Sequence, residues 1–123
     1  MRNNIGGIDH AVFAVRDLDA TRETFRRLGF TVTPRGHHTL GSQNHCIVFG
    51  EDYLELLWLP PELKTRPFIA DFLEGGEGLA ALALKTPDAE AACAELGAAG
   101  LDPSPPLDFS RPVHFAGGVG NAR

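Results

Sequence analysis

Two short stretches decide how this chain is read: Ile8-Asp-His-Ala-Val-Phe-Ala-Val15 and Tyr53-Leu-Glu-Leu-Leu-Trp58. Each is apolar, rich in β-branched, aromatic or leucine side chains, and ended by charged or turn-forming residues. Runs of that length and composition read as strands. On a two-residue period, Ile8, His10, Val12 and Ala14 share one face of the first, and Tyr53, Glu55 and Leu57 share one face of the second. Each strand therefore carries one side chain able to hold a metal or move a proton, set among apolar neighbours. The functional reading turns on whether His10 and Glu55 meet.

The stretch between them supplies a helix and two more strands. Asp17 and Asp19 are both possible N-caps for a helix to about Leu28, with Leu18, Phe25 and Leu28 near one face and Gly29 as its stop. Phe30–Thr33 reads as a short strand ended by Pro34. Residues 35–44 are polar and punctuated by glycine, which predicts a surface loop holding His37 and His38. His45–Phe49 reads as a strand with His45, Ile47 and Phe49 on the inward face, and Gly50-Glu51-Asp52 as a tight connection to the Tyr53 strand. The inward set is then Ile8, Val12, Ala14, Ile47, Phe49 and Leu57.

Downstream, the strand-then-helix opening recurs about seventy residues later, which points to internal duplication. A short helix is expected within Lys64–Leu73, a strand over Gly78–Lys85, and a helix capped by Asp88 to about Ala99. Asp108–Phe115 reads as one more strand, interrupted by Pro112, and the tail from Gly117 shows no strand pattern. The fold class is therefore α+β: a βαβββ module over about residues 7–60 and a partial second module over about 77–115. Together they form one domain, a curved mixed sheet with helices on its convex face. Ala80 falls near the place in the second copy that His10 holds in the first.

At 123 residues the chain can bury roughly two-thirds of its unfolded surface, enough for a core without disulfides. The net charge of -5 with no basic stripe argues against a nucleic-acid partner. No window approaches a membrane span, and the polar start Met-Arg-Asn-Asn lacks a secretory apolar run. Cys46 and Cys93 have no metal-type spacing and are expected as buried free thiols, which fits a cytoplasmic location.

The βαβββ order, the Asp9-His10 pair in the opening strand and the Tyr53-Leu-Glu-Leu56 strand together resemble the vicinal oxygen chelate superfamily. Its members include glyoxalase I, extradiol dioxygenases and bleomycin-resistance proteins. The phrases Gly7-Ile-Asp-His-Ala-Val-Phe-Ala-Val-Arg-Asp-Leu-Asp19 and Asn44-His-Cys-Ile-Val-Phe-Gly-Glu-Asp-Tyr-Leu-Glu-Leu56 are similar to its glyoxalase-like domain branch. The resemblance covers about residues 7–60 and 77–100, with Phe109–Val113 beyond. It implies a cup with a divalent metal held by ligands from the first and last strands of each module. His10 and Glu55 would be the first module's ligands, a pair that suits zinc, iron, manganese or nickel. The implied activity is a metal-dependent lyase, isomerase or dioxygenase on a small oxygen-rich molecule. The rival readings are a small-ligand or drug-binding module of the same architecture and an inactive truncated domain. Ala80 leaves the second module without an evident third ligand, so a homodimer that completes the cup across chains is expected.

Other residues carry weaker signals. Glu55 is the most informative, because burying a carboxylate is costly unless it is paired or metal-bound. His45, beside the Glu55 strand, is a candidate for proton transfer, against the alternative of a histidine bonded to the loop. Tyr53 and Arg111 are candidates for substrate contact, Tyr53 by its hydroxyl and Arg111, like Arg35, by binding an anion. His37 and His38 are expected to be solvated. Leu54, Leu56 and Trp58 are expected as core against the first helix.

Overall fold

A computed structural model of the chain describes residues 4–63, 66–115 and 118–122. In chain order the elements are β1 (Ile8–Ala14), α1 (Leu18–Arg27), β2 (Gly36–His37), β3 (Gln43–Val48) and β4 (Tyr53–Trp58). They continue with α2 (Pro67–Glu74), β5 (Gly78–Leu84), α3 (Ala89–Ala98), β6 (Arg111–Phe115) and β7 (Gly118–Ala122). Five strands form a curved mixed sheet in the order β2-β3-β4-β1-β5, and β6 and β7 pair separately as a hairpin. β1 runs parallel to β4 and antiparallel to β5. The α+β class and the strand–helix repeat thus follow the sequence reading.

The sheet separates two apolar clusters. On one face, Val15, Leu18, Ile47 and Leu56 pack with Phe25, Leu54 and Trp58, which docks α1 on the sheet. α1 begins where its sequence says it should: Asp17 Oδ1 accepts a hydrogen bond of 3.0 Å from Ala20 N–H, satisfying one of the amides left over at a helix start. Asp88 caps α3 in the same way, accepting from Ala91 N–H at 3.0 Å. On the other face, Val12, Ala14 and Leu57 pack against Ile69 of α2. α2, opened by Pro67 in its first turn, therefore covers one end of the face that carries His10 and Glu55, which periodicity alone did not show. Lys64 and Thr65, at the start of the stretch expected to hold a helix, lie outside the described residues, as do Met1–Asn3, Ala116, Gly117 and Arg123. Ile69 and Leu57 have no solvent exposure, and burying each contributes roughly 1.5–3 kcal/mol.

Three local expectations are corrected. Phe30–Thr33 forms no strand. Its end meets β3 at one point, where Thr33 N–H donates to Cys46 C=O at 2.9 Å and Cys46 N–H to Thr33 Oγ1 at 2.8 Å. Pro34 has no N–H, so the ladder stops there, and pairing resumes only at β2, where Gly36 faces Asn44. The 35–44 stretch is correspondingly not a free surface loop: His38, Ser42 and Asn44 are buried. Gly41, at φ +98°, is in the left-handed region and a Cβ there would collide with Leu63. The tail is not patternless either, since Gly118–Ala122 pairs along β6. Backbone pairing needs no side-chain alternation, so a glycine-rich strand leaves no signal in hydrophobic periodicity.

Ile8, Leu79, Leu82 and Leu84 are about half exposed along the β1–β5 side of the sheet, and β5 is its edge strand. Ile8 and Phe49, expected inward, are exposed, and Ile47 belongs to the α1 face.

Candidate active site

The β-ladder brings His10 and Glu55 together. β1 and β4 are parallel, with His10 opposite Tyr53 and Val12 opposite Glu55. Side chains of one parity on both strands therefore point to one face. His10 Nε2 lies 3.6 Å from Glu55 Oε1. The imidazole is fixed from two further sides: its Nδ1 is 2.7 Å from Asp9 Oδ2, and its ring stacks on Tyr53 with centroids 4.4 Å apart and planes at 12°. Asp9 accepts the Nδ1–H, which turns Nε2 toward Glu55. A carboxylate behind an imidazole is also how metal-bound histidines are oriented.

The second oxygen of Glu55 has its own partners. Asn44 Nδ2 donates to Oε2 at 2.6 Å, and His38 Nε2 faces the same oxygen at 3.5 Å. Ser42 Oγ is 2.9 Å from His38 Nδ1. When the hydroxyl donates to Nδ1, the imidazole carries its proton on Nε2, toward Glu55. The ring edge of His38 also meets Phe109, centroids 5.6 Å apart. Asn44 reaches Glu55 because Gly36, its partner across the β2–β3 ladder, leaves room. A Cβ at Gly36 would collide with the Asn44 side-chain oxygen and crowd Arg111 at 3.2 Å.

His10, His38 and Glu55 line a cavity of 310 Å³, with Tyr53, Arg66 and Arg111 also on its walls. Glu55 is only 6% exposed. Burial pushes its carboxyl up, but hydrogen bonds from His10, His38 and Asn44 outweigh that and hold it well below the usual carboxylate range. It is therefore ionised at neutral pH. Burial also disfavours charge on His10, and the Glu55 and Asp9 carboxylates reverse this, raising its pKa above 6.5. Burial, helped by the negative charge of Glu55, pushes the Tyr53 hydroxyl up to about 12, so it stays protonated and can donate a hydrogen bond. Burial likewise raises the Cys46 thiol to about 11, which leaves it a poor nucleophile.

The sequence-predicted residues divide clearly. His10, Tyr53, Glu55 and Arg111 share the cavity. His45 does not: Cys46 is the residue opposite Glu55, and His45 is opposite Leu56, so it points to the α1 face. There its Nδ1 lies 2.7 Å from Thr33 C=O, and burial lowers its pKa. The proton-transfer role expected for His45 therefore has no geometric basis. The expected inward face of its strand is off by one parity, and a one-residue slip exchanges the two faces of a strand. Arg35 is held by Asp19 and Gln43, each at 2.6 Å, and lies away from Glu55. Conversely, sequence reasoning misses His38, Asn44 and Arg66. The signal for Asn44 is present in the alternation of Asn44 with Cys46, which lies opposite Glu55. His38 sits in a turn whose return to the sheet leaves no periodic trace.

A metal at this site would find His10 Nε2 and Glu55 Oε1 as two donors of suitable chemistry, facing one another and braced from behind by Asp9. The β5 residues on the cavity wall, Ala81, Leu82 and Ala83, offer no third. Among the described residues no group of three His, Cys, Asp or Glu side chains is arranged to hold a metal ion. The fit is that of an open two-ligand pair, with the remaining positions left for water, substrate or another chain.

A curved mixed sheet of βαβββ order is the architecture of the vicinal oxygen chelate superfamily. The chain belongs to the glyoxalase-like domain family, whose model matches residues 8–123. Solved structures with the same fold include methylmalonyl-CoA epimerases. A Streptomyces coelicolor enzyme variant in complex with 2-nitronate-propionyl-CoA is 26% identical with a TM-score of 0.65, over 89% of this chain and 88% of that one. An epimerase in complex with methylmalonyl-CoA and NH4+ is 27% identical with a TM-score of 0.65, over 88% and 83%. The Mycobacterium tuberculosis enzyme is 24% identical with a TM-score of 0.64, over 93% and 72%. No curated protein matches the chain. Among the described residues no helix is long and apolar enough to cross a membrane.

Proposed function

We propose that this chain is an enzyme of the isomerase or lyase type that moves a proton beside a carbonyl of a small oxygen-rich molecule bound in the cavity. One observation carries the reading: a buried, ionised carboxylate at the cavity wall divides its two oxygens between two imidazoles, Oε1 toward His10 and Oε2 toward His38. The fold it shares with the epimerases supports the same class.

His10 and Glu55 would hold a divalent metal (zinc, iron, manganese or nickel), which when bound supplies Lewis-acid polarisation of the substrate oxygen. The chain's own residues do the rest. Glu55, held ionised, is a weak base and serves to fix charge. His38 takes the substrate proton at Nε2 in the tautomer whose Nδ1–H donates to Ser42 Oγ, which leaves the Nε2 lone pair free. Glu55 Oε2 stabilises the imidazolium that forms, and Ser42 fixes the ring. Tyr53 donates its hydroxyl to a substrate oxygen, and Arg111 offsets negative charge. The half-exposed leucines along β5 suit pairing with a second copy of the chain, so the working unit is a homodimer.

A non-enzymatic ligand-binding module is the second reading, favoured by the incomplete donor set around His10 and Glu55. Deuterium exchange separates the two. Methylmalonyl-CoA and free methylmalonate are incubated with the protein in heavy water and the C–H next to the carbonyl is followed by NMR. The enzyme reading expects exchange into at least one of them, lost in His38→Ala. No exchange above the protein-free rate into either would overturn it.

A further inference from the structure

Arg66 is not among the residues the sequence singles out, and its surroundings are unusual for a surface arginine. It immediately precedes α2 and lines the same cavity as His10 and Glu55. Its guanidinium is 5.4 Å from the ring centroid of Phe68 and 5.3 Å from that of Phe109. Two aromatic contacts restrict the planar group and shield it from water, while its N–H bonds radiate in the plane. Among the described residues no carboxylate forms an ion pair with it. Arg111, on the same cavity, has one polar contact among the described residues, the Cys46 sulfur at 3.7 Å.

The charge around the cavity is therefore unbalanced. Among the described residues that line it, the one buried carboxylate, Glu55, is already satisfied by His10, His38 and Asn44. Two guanidinium groups remain without an anion among the described residues, one of them held in a fixed orientation. A restrained arginine that reaches a partly desolvated cavity is suited to a two-pronged hydrogen bond with a planar carboxylate. The volume of 310 Å³ is at the lower end for ligand cavities, and suits a small organic acid.

We infer that the cavity takes a small carboxylic acid with a second oxygen function close to its carboxylate, and that Arg66 is the anchor for that carboxylate. This rests on the proposed proton-transfer site and names its substrate class. The acid's second oxygen lies toward His10 and Glu55, with Arg111 closing the other side. A 2-oxo acid, a 2-hydroxy acid or a 1,3-dicarboxylate has the required pattern. Charge neutralisation by Arg66 also favours proton loss next to the carbonyl, because it offsets the negative charge that develops.

Malonate is the probe, with uncharged malonamide as its isostere. Binding to the full chain is measured by calorimetry for the wild type, Arg66→Lys, Arg66→Gln and His38→Ala, with cooperative unfolding confirmed for each. Malonate is expected to bind at one site, and malonamide at least tenfold more weakly. Arg66→Gln is expected to weaken malonate at least tenfold. Arg66→Lys keeps the charge but loses the fork, and is expected to fall between the wild type and Arg66→Gln. Equal binding of malonamide and malonate, or unchanged malonate binding in Arg66→Gln, overturns the inference. The two readings fail separately. Malonate binding that depends on Arg66 without any proton exchange removes the enzyme reading and keeps the anion site. Exchange that is indifferent to Arg66→Gln does the reverse.

Discussion

Replacing Glu55 by Gln removes a charge and leaves the shape of the side chain almost unchanged, so its effect on His10 isolates the electrostatic link between them. His10 Nε2 lies 3.6 Å from Glu55 Oε1. At an effective dielectric of about 20, two unit charges at that separation attract by roughly 4–5 kcal/mol. Asp9 remains on the other nitrogen at 2.7 Å, and the imidazole retains some contact with water. The His10 pKa should therefore fall in Glu55→Gln, with burial then the larger of the influences left. The assay is an NMR pH titration of the His10 ring carbon signals in both proteins. A His10 pKa unchanged within about 0.3 units would refute the reasoning, since it would mean that the two side chains do not interact in solution.

Stability should carry the same signature. His10 is raised above its ordinary 6.5, so its contribution is full below that pH and lost as pH rises through the folded value. Glu55 is depressed, so its contribution is full above its ordinary 4.5 and lost as pH falls from there toward its folded value. The stability advantage of the wild type over Glu55→Gln should therefore be largest between about pH 4.5 and 6.5 and shrink on both sides, and urea unfolding within and on either side of that window checks it. Ile69→Ala should cost about 2–5 kcal/mol, because Ile69 is fully buried against Val12, Ala14 and Leu57; a loss below about 1 kcal/mol would show that α2 is not packed on the site face. Leu84→Glu, on the half-exposed edge strand, should convert a homodimer to a monomer in light scattering, and a monomeric wild type would contradict the proposed pairing.

The features that depend on alternation and capping are legible in the sequence. β1, β4 and β5 show because they are short, mostly apolar runs bounded by charged or turn-forming residues, and α1 and α3 because Asp17 and Asp88 mark their starts. The meeting of His10 and Glu55 needs only parity and a shared sheet. What stays hidden depends on contacts between distant segments. His38 lies in a polar, glycine-punctuated stretch, and its burial comes from packing against Phe109 and Glu55, both far from it along the chain. Arg66 gains meaning only once Phe68 and Phe109 flank it. The parity of β3 is obscured because Phe30–Thr33 has the composition of a partner strand, whereas Pro34 moves the pairing to Gly36.

We propose that Glu55 and His10 form one cation-binding unit at the cavity. The most direct test is zinc titration by calorimetry on the full chain, purified without chelator and then stripped, alongside His10→Ala and Glu55→Ala. The account predicts one zinc site per chain, lost in both variants while each still unfolds cooperatively. A correctly folded wild type that binds no zinc, or binds it equally well without Glu55, would contradict it.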